Sequence, residues 1–181
     1  MTKLTILTIA VVSLCSLNNL AQNTLTVDDV CSKKELKAKG ASNFNTMRDG
    51  LHYTEMKDTN HVQSIIKYDL KTGSKVAELV KGEQVKVGDK TIDLSNYTFT
   101  KDETKLLLVT DERSIYRRSS TALIYVYDLK TGKTTELSKN GKQMFATFSP
   151  TGNKVAFVRD NNLFIKDLDT DTETQITTDG I

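Results

Sequence analysis

Three arginines, Arg113, Arg117 and Arg118, fall within six positions of a 181-residue chain. A guanidinium group is permanently charged and carries a planar fork of donors, so it suits a carboxylate or a carbonyl oxygen. The three lie in the stretch 111–122, which lengthens a hairpin that elsewhere in the chain is closed by the short Asp160-Asn161-Asn162 link. Extended loops on a rigid scaffold often carry function. The competing reading is a solvated charged loop with Asp111 and Glu112 as local partners.

The other reactive side chains assemble into nothing comparable. His52 and His61 are the only histidines, and neither is placed to activate Cys31. Cys31 therefore reads as a small buried apolar residue rather than a nucleophile. Ser149 precedes Pro150 in a turn, outside any nucleophile-elbow context. Asp167, Asp169 and Asp171 alternate, but Thr172 and Glu173 do not continue a calcium loop, so the stretch reads as an acidic turn. The sequence holds no G-x-x-x-x-G-K-[ST], no G-x-G-x-x-G and no Cys/His metal pattern, and no cofactor is expected.

The elements that must position the arginines come from a repeat. Tyr68-Asp69-Leu70-Lys71-Thr72-Gly73 recurs word for word as Tyr127-Asp128-Leu129-Lys130-Thr131-Gly132. A degenerate third copy runs Lys166-Asp167-Leu168-Asp169-Thr170-Asp171. Each copy has an apolar strand before it and a second short strand after it. Glycine accepts the left-handed backbone such a hairpin needs, and the aspartate caps free amides of the turn. Asp69, Asp128 and Asp167 are thus turn residues, not catalytic acids. Upstream, Phe99-Thr100-Lys101-Asp102 leads into Lys105 to Val109, and Phe148-Ser149-Pro150-Thr151-Gly152 leads into Lys154 to Val158. Both read as a strand, a tight turn and a strand buried on both faces. In blade one, Asn45 to Gly50 followed by Leu51 to Met56 fits the same plan.

Four strands per unit at a spacing of roughly 40 residues signal propeller blades. The fold class is all-β: a partial β-propeller of about three four-stranded blades, at about 41–80, 97–138 and 143–177. Insertions near 81–93 and at 111–121 lengthen the second interval. Three blades do not close a ring, so further blades are expected beyond Ile181, and this piece alone is expected to aggregate or to need a partner.

Residues 1–21 read as a secretory signal: Lys3, an apolar stretch from Leu4 to Leu17, and Ala21 before the cut. Export to the periplasm, the cell surface or beyond is expected. Cleavage after Ala21 leaves Cys31 as the single cysteine, which cannot form an internal disulfide. A leading segment at 22–40 follows, in which Thr26 and Asp29 form a capping-box pair ahead of a short helix at about Val27 to Cys31. Lys33, Lys34, Lys37 and Lys39 read as a solvated strip. A formal charge of +2 with 27% charged residues argues against a nucleic-acid partner, which would meet a concentrated basic face.

The stretch Tyr116-Arg117-Arg118-Ser119-Ser120-Thr121-Ala122, with Ile124-Tyr125-Val126-Tyr127-Asp128-Leu129 after it, resembles the dipeptidyl peptidase IV family. So do Phe148-Ser149-Pro150-Thr151-Gly152, Asp167-Leu168 and Ile176-Thr177 in the next blade, and Tyr53-Thr54 with Tyr68-Asp69-Leu70 in the first. The resemblance covers nearly the whole exported chain. It implies an eight-bladed propeller joined to a C-terminal α/β-hydrolase domain. It also implies removal of dipeptides from peptide N-termini, with proline or alanine in second place, and a homodimer when intact. Arg117 matches the family arginine that contacts a substrate carbonyl oxygen. The paired glutamates that hold the substrate's free amine, in a Trp-x-Tyr-Glu-Glu stretch, are expected after Ile176-Thr177-Thr178-Asp179-Gly180. The G-x-S-x-G serine, the aspartate and the histidine are expected further on, so no catalytic residue is assigned among these 181 residues. The rival reading is a non-catalytic exported propeller that binds a protein or peptide on its rim.

Overall fold

The structure, a computed structural model, describes residues 25–32 and 44–181. The expected signal at 1–21, its cleavage site and the lysine strip lie outside the described residues. The chain divides into two units, Met1–Gly40 and Ala41–Ile181.

Among the described residues of the first unit, one helix, α1, spans Val27–Ser32. Its N-terminus is the expected capping box. The Asp29 amide donates to Thr26 Oγ1 at 3.1 Å, and the Thr26 amide donates back to Asp29 Oδ2 at 2.9 Å. Cys31 is exposed, which corrects the expectation that it is buried. The helix is six residues long with no buried residue, so it presents no face on which a cysteine is covered. No helix among the described residues is long and apolar enough to cross a membrane.

The second unit is built of three antiparallel four-stranded meanders. The first contains β1 (Phe44–Thr46), β2 (His52–Thr59), β3 (Val62–Asp69) and β4 (Lys75–Val80). After a small ribbon, β5 (Lys86–Val87) and β6 (Lys90–Thr91), the second contains β7 (Asn96–Phe99), β8 (Lys105–Tyr116), β9 (Ser119–Asp128) and β10 (Thr134–Glu136). The third contains β11 (Met144–Phe148), β12 (Lys154–Arg159), β13 (Asn162–Asp167) and β14 (Glu173–Gln175). Within each sheet, spatial order follows chain order. These are the blades of an open, incomplete propeller.

The middle sheet explains why the pattern packs this way. Successive side chains on a strand point to opposite faces. Leu106, Leu108, Tyr125 and Tyr127 meet Ile65 and Val80 of the first sheet. Leu107, Ile124 and Val126 meet Val155, Phe157 and Phe164 of the third. Both faces are thus covered, and continuous apolar runs replace alternation. The insertion at 81–93 also joins a core: Val85 is fully buried, and with Ile92 and Leu94 it packs into the layer between the first two sheets. A 3-10 turn at Gly82–Gln84 brings it there. Gly82 lies so close to Gln63 that an added Cβ would overlap that residue's carbonyl.

The repeated turns obey the expected chemistry. Asp69 Oδ1 accepts from the Thr72 amide at 2.7 Å, Asp128 Oδ1 from the Thr131 amide at 2.8 Å, and Asp167 Oδ1 from the Thr170 amide at 3.0 Å. Gly73 and Gly132 take left-handed φ values of 69° and 70°. In the degenerate copy Asp171 holds the same place at φ 57°. Aspartate is among the few residues that tolerate it, and here its carboxylate also pairs with Lys166 at 2.6 Å.

Candidate functional site

The hairpin of β8 and β9 outgrows its sheet. It ends in a two-residue turn at Arg117 and Arg118, between Tyr116 and Ser119. Pairing continues out to Tyr116 and Ser119, so the insertion is a stiff arm rather than a slack loop. Its register slips between Thr110 and Arg113, where Asp111 takes φ 48°. A bulge of this kind bends and twists a strand, and here it sets the arm's direction.

The root of the arm is tied on both sides. Lys142 Nζ donates to the Asp111 carbonyl at 2.6 Å and pairs with its carboxylate at 2.9 Å. Ser120 Oγ donates to Glu112 Oε1 at 2.6 Å across the hairpin. Ala122 and Gln143 exchange backbone hydrogen bonds at 2.9 and 2.8 Å, which stitches the arm to the linker ahead of the third sheet. The buried Gln143 side chain accepts from the Ile124 amide at 3.1 Å. On the other flank, Thr110 Oγ1 donates to the Asp93 carbonyl.

Arg113, Arg117 and Arg118 are all exposed. Among the described residues, none of them forms an ion pair. Asp111 and Glu112, the partners that the solvated-loop reading gives them, are engaged by Lys142 and Ser120 instead. The turn therefore carries unspent guanidinium groups at the end of a braced lever. A cleft of about 850 Å³ lies at its foot, walled by Lys90 to Ser95, Thr110 to Glu112 and Tyr125. Asp93, Asp111, Glu112 and Glu136 outnumber the single Lys90 on its walls. Burial, helped by the nearby Glu136 and Asp111 carboxylates, pushes the Tyr125 hydroxyl above its usual pKa.

Two features near this site lack a local sequence signal. Arg159, almost wholly buried, donates to Glu173 Oε1 at 2.6 Å and lies 4.0 Å from the Phe164 ring centroid. Burial pushes Glu173 upward, but hydrogen bonds with Ser138 and Arg159 outweigh it and hold the carboxyl below its ordinary value. Phe145, at the start of β11, is an exposed aromatic residue with φ 55°. Of the other residues weighed from sequence, Ser149 bonds only within its turn, to Thr151, Asn153 and Lys154. His52 pairs with Asp49 at 2.6 Å, far along the chain from the arm.

Residues 100–181 match the family "Dipeptidyl peptidase IV (DPP IV) N-terminal region". A probable dipeptidyl-aminopeptidase B of Colletotrichum graminicola is 39% identical over 106 residues, which cover 56% of this chain and 12% of that protein. Another, of Arthroderma gypseum, is 32% identical over 133 residues, covering 72% of this chain and 14% of that protein. The crystal structure of Porphyromonas gingivalis dipeptidyl peptidase 4 superposes with a TM-score of 0.68 and 42% identity, over 76% of this chain and 19% of that one. The chain thus spans roughly an eighth of the length of these curated relatives. It is a dipeptidyl peptidase IV-like N-terminal propeller segment, with residues 100–181 matching that family's N-terminal region.

Proposed function

We propose that the arm is a substrate-facing element of an exported serine dipeptidyl peptidase, and that Arg117 donates to a carbonyl oxygen of the bound peptide. The observation that carries this reading is the braced arm itself: an exposed Arg117 at its tip, without an ion pair among the described residues, above a root fixed by Lys142 and Gln143. A guanidinium placed so needs no reorganisation to meet a peptide oxygen, and its fixed donors favour one orientation. The ligand is a peptide with a free N-terminus, released as an Xaa-Pro or Xaa-Ala dipeptide by acyl transfer to a serine. In this reading, the remaining blades, the paired glutamates and an α/β-hydrolase domain come from the rest of the intact protein, which works as a homodimer in the periplasm or at the cell surface. Residues 22–181 alone then hydrolyse nothing.

The test is Arg117→Ala in the intact protein, assayed with a Gly-Pro reporter. Losing a charged hydrogen bond to substrate should lower kcat/KM by roughly 10- to 100-fold. Arg117→Lys should recover only part of it, because an ammonium lacks the planar fork. Unaltered hydrolysis in Arg117→Ala would reject the role, and cleavage of the reporter by purified residues 22–181 would reject the division of labour.

A further inference from the structure

Phe145 combines properties that packing alone does not produce. Its backbone is left-handed at φ 55°, a region that bulky L-residues enter only against steric resistance. The residue is 61% exposed. The residues that follow on the same strand, Ala146 and Phe148, pack against the core between the second and third sheets. The cause is a bulge: β11 slips register against β12 between Met144 and Thr147, and Phe145 falls inside the slip. Bulges of this kind re-aim a side chain and are over-represented beside active sites.

The ring is aimed next to the arm. Strands β8 and β9 climb to the Arg117 turn, and β11 begins at the same end of the neighbouring sheet. The Ala122–Gln143 hydrogen bonds and the Lys142–Asp111 pair fix that adjacency. Between Phe145 and the arm's root lies a cleft of about 130 Å³. Leu107, Ala122 and Ile124 line its apolar side, and Asn96, Thr98, Glu112, Ser120 and Gln143 stand on its polar side. An apolar cavity of about 150 Å³ holds one benzene-sized group. This cleft therefore has room for a single side chain and not for a peptide backbone.

We propose that the cleft receives one apolar side chain of the peptide, and that Phe145 is the specificity-determining wall that selects it. The proposal rests on the reading of the arm as substrate-facing. The strained backbone holds the ring out of the core and over the cleft, where it covers an apolar side chain arriving with the peptide. An acidic side chain gains nothing from this wall and meets the Glu112 carboxylate on the opposite side.

Two measurements on the intact protein test this. In the first, dipeptidyl reporters that differ only in one side chain are compared with wild type and Phe145→Ala. For branched apolar residues KM should rise roughly 10-fold with kcat unchanged, and for glycine or serine it should not move. An equal effect across the panel overturns the proposal. The second needs no catalysis: para-fluorophenylalanine is placed at position 145, and its fluorine resonance is followed while leucine amide or aspartate amide is added. A saturable shift with leucine amide alone is expected. No shift, or the same shift with both, overturns the assignment. If the intact protein cleaves no dipeptidyl reporter at all, the reading of the arm fails, and the fluorine titration still decides the cleft. Phe145→Gly relieves the left-handed backbone, so it should melt no lower than wild type. A lower melting temperature would mean that the ring holds the fold together, and would also overturn the role.

Discussion

Arg159 and Glu173 form a buried ion pair that is open to a direct experiment. The guanidinium is desolvated against the Phe164 ring, so its attraction to Glu173 is little screened, while Ser138 satisfies a further donor. Removing Glu173 leaves the buried Arg159 facing only the solvated Asp160 carboxylate at 3.8 Å, a loss of about 3 kcal/mol. Glu173→Gln should therefore speed amide exchange in β12 to β14 of the intact protein far more than a change at exposed Asp160 does. The sign of the pH dependence follows from the depressed carboxyl of Glu173. Its contribution is present above the ordinary glutamate pKa and is lost as pH falls through the lower folded value. The difference between wild type and Glu173→Gln should thus be full at neutral pH and vanish in acid. A gap in exchange rates that stays constant down to acid pH would show that Glu173 acts through packing, not charge.

At the scale of elements, the repeated turn is where sequence reading is strongest, because its chemistry is local. An aspartate, a threonine and a glycine at fixed offsets determine the hairpin without help from elsewhere. Asp128 accepts from the Thr131 amide, the Thr131 hydroxyl and the Lys130 amide, and together these bonds outweigh burial and hold its carboxyl below the usual range. Asp128→Ala should cost about 1 kcal/mol, with Asp128→Asn recovering part of it, read as exchange of the β9 and β10 amides. Equal exchange in both variants would mean that the turn is held by packing alone. The arm's position between the second and third strands was legible for the same local reason. Its bracing was not: the bulge at Asp111 answers to Lys142, 31 residues further on. The core role of 85–94 is not legible in sequence, since Val85, Ile92 and Leu94 follow no regular period. Only the contact with Ile65 and Tyr97 makes them core. Cys31 is exposed because the six-residue helix that carries it buries none of its residues, which residue type alone does not reveal. The Phe145 bulge and the Arg159 clamp depend on pairings between strands that no short window contains.

At the largest scale, the second unit is a stack of sheets in which, among the described residues, only the middle sheet is covered on both faces by other sheets. The outer face of the first sheet carries a ladder of aromatic rings. Phe44 and Tyr53 lie 4.6 Å apart, and Tyr53 stacks on Tyr68 at 5.2 Å between centroids. Such a ladder is apolar surface of the kind that the other two interfaces bury. Leu107 in the middle sheet and Tyr53 in the first thus make a diagnostic pair. Leu107 is 2% exposed and already packed, so Leu107→Ala should loosen the second and third sheets by about 3 kcal/mol in any length of chain. Tyr53→Ala should matter in the intact protein, where we propose that a further blade covers this face, and should matter little in residues 22–181 alone. The same argument predicts that residues 22–181 bind a hydrophobic dye and self-associate as concentration rises, because exposed sheet faces and edges seek partners. Tyr53→Ala should then reduce self-association of the short chain while it destabilises the long one. A monodisperse, cooperatively melting product from residues 22–181, indifferent to Tyr53→Ala, would mean that the first sheet's outer face is finished as it stands and that no further blade packs there.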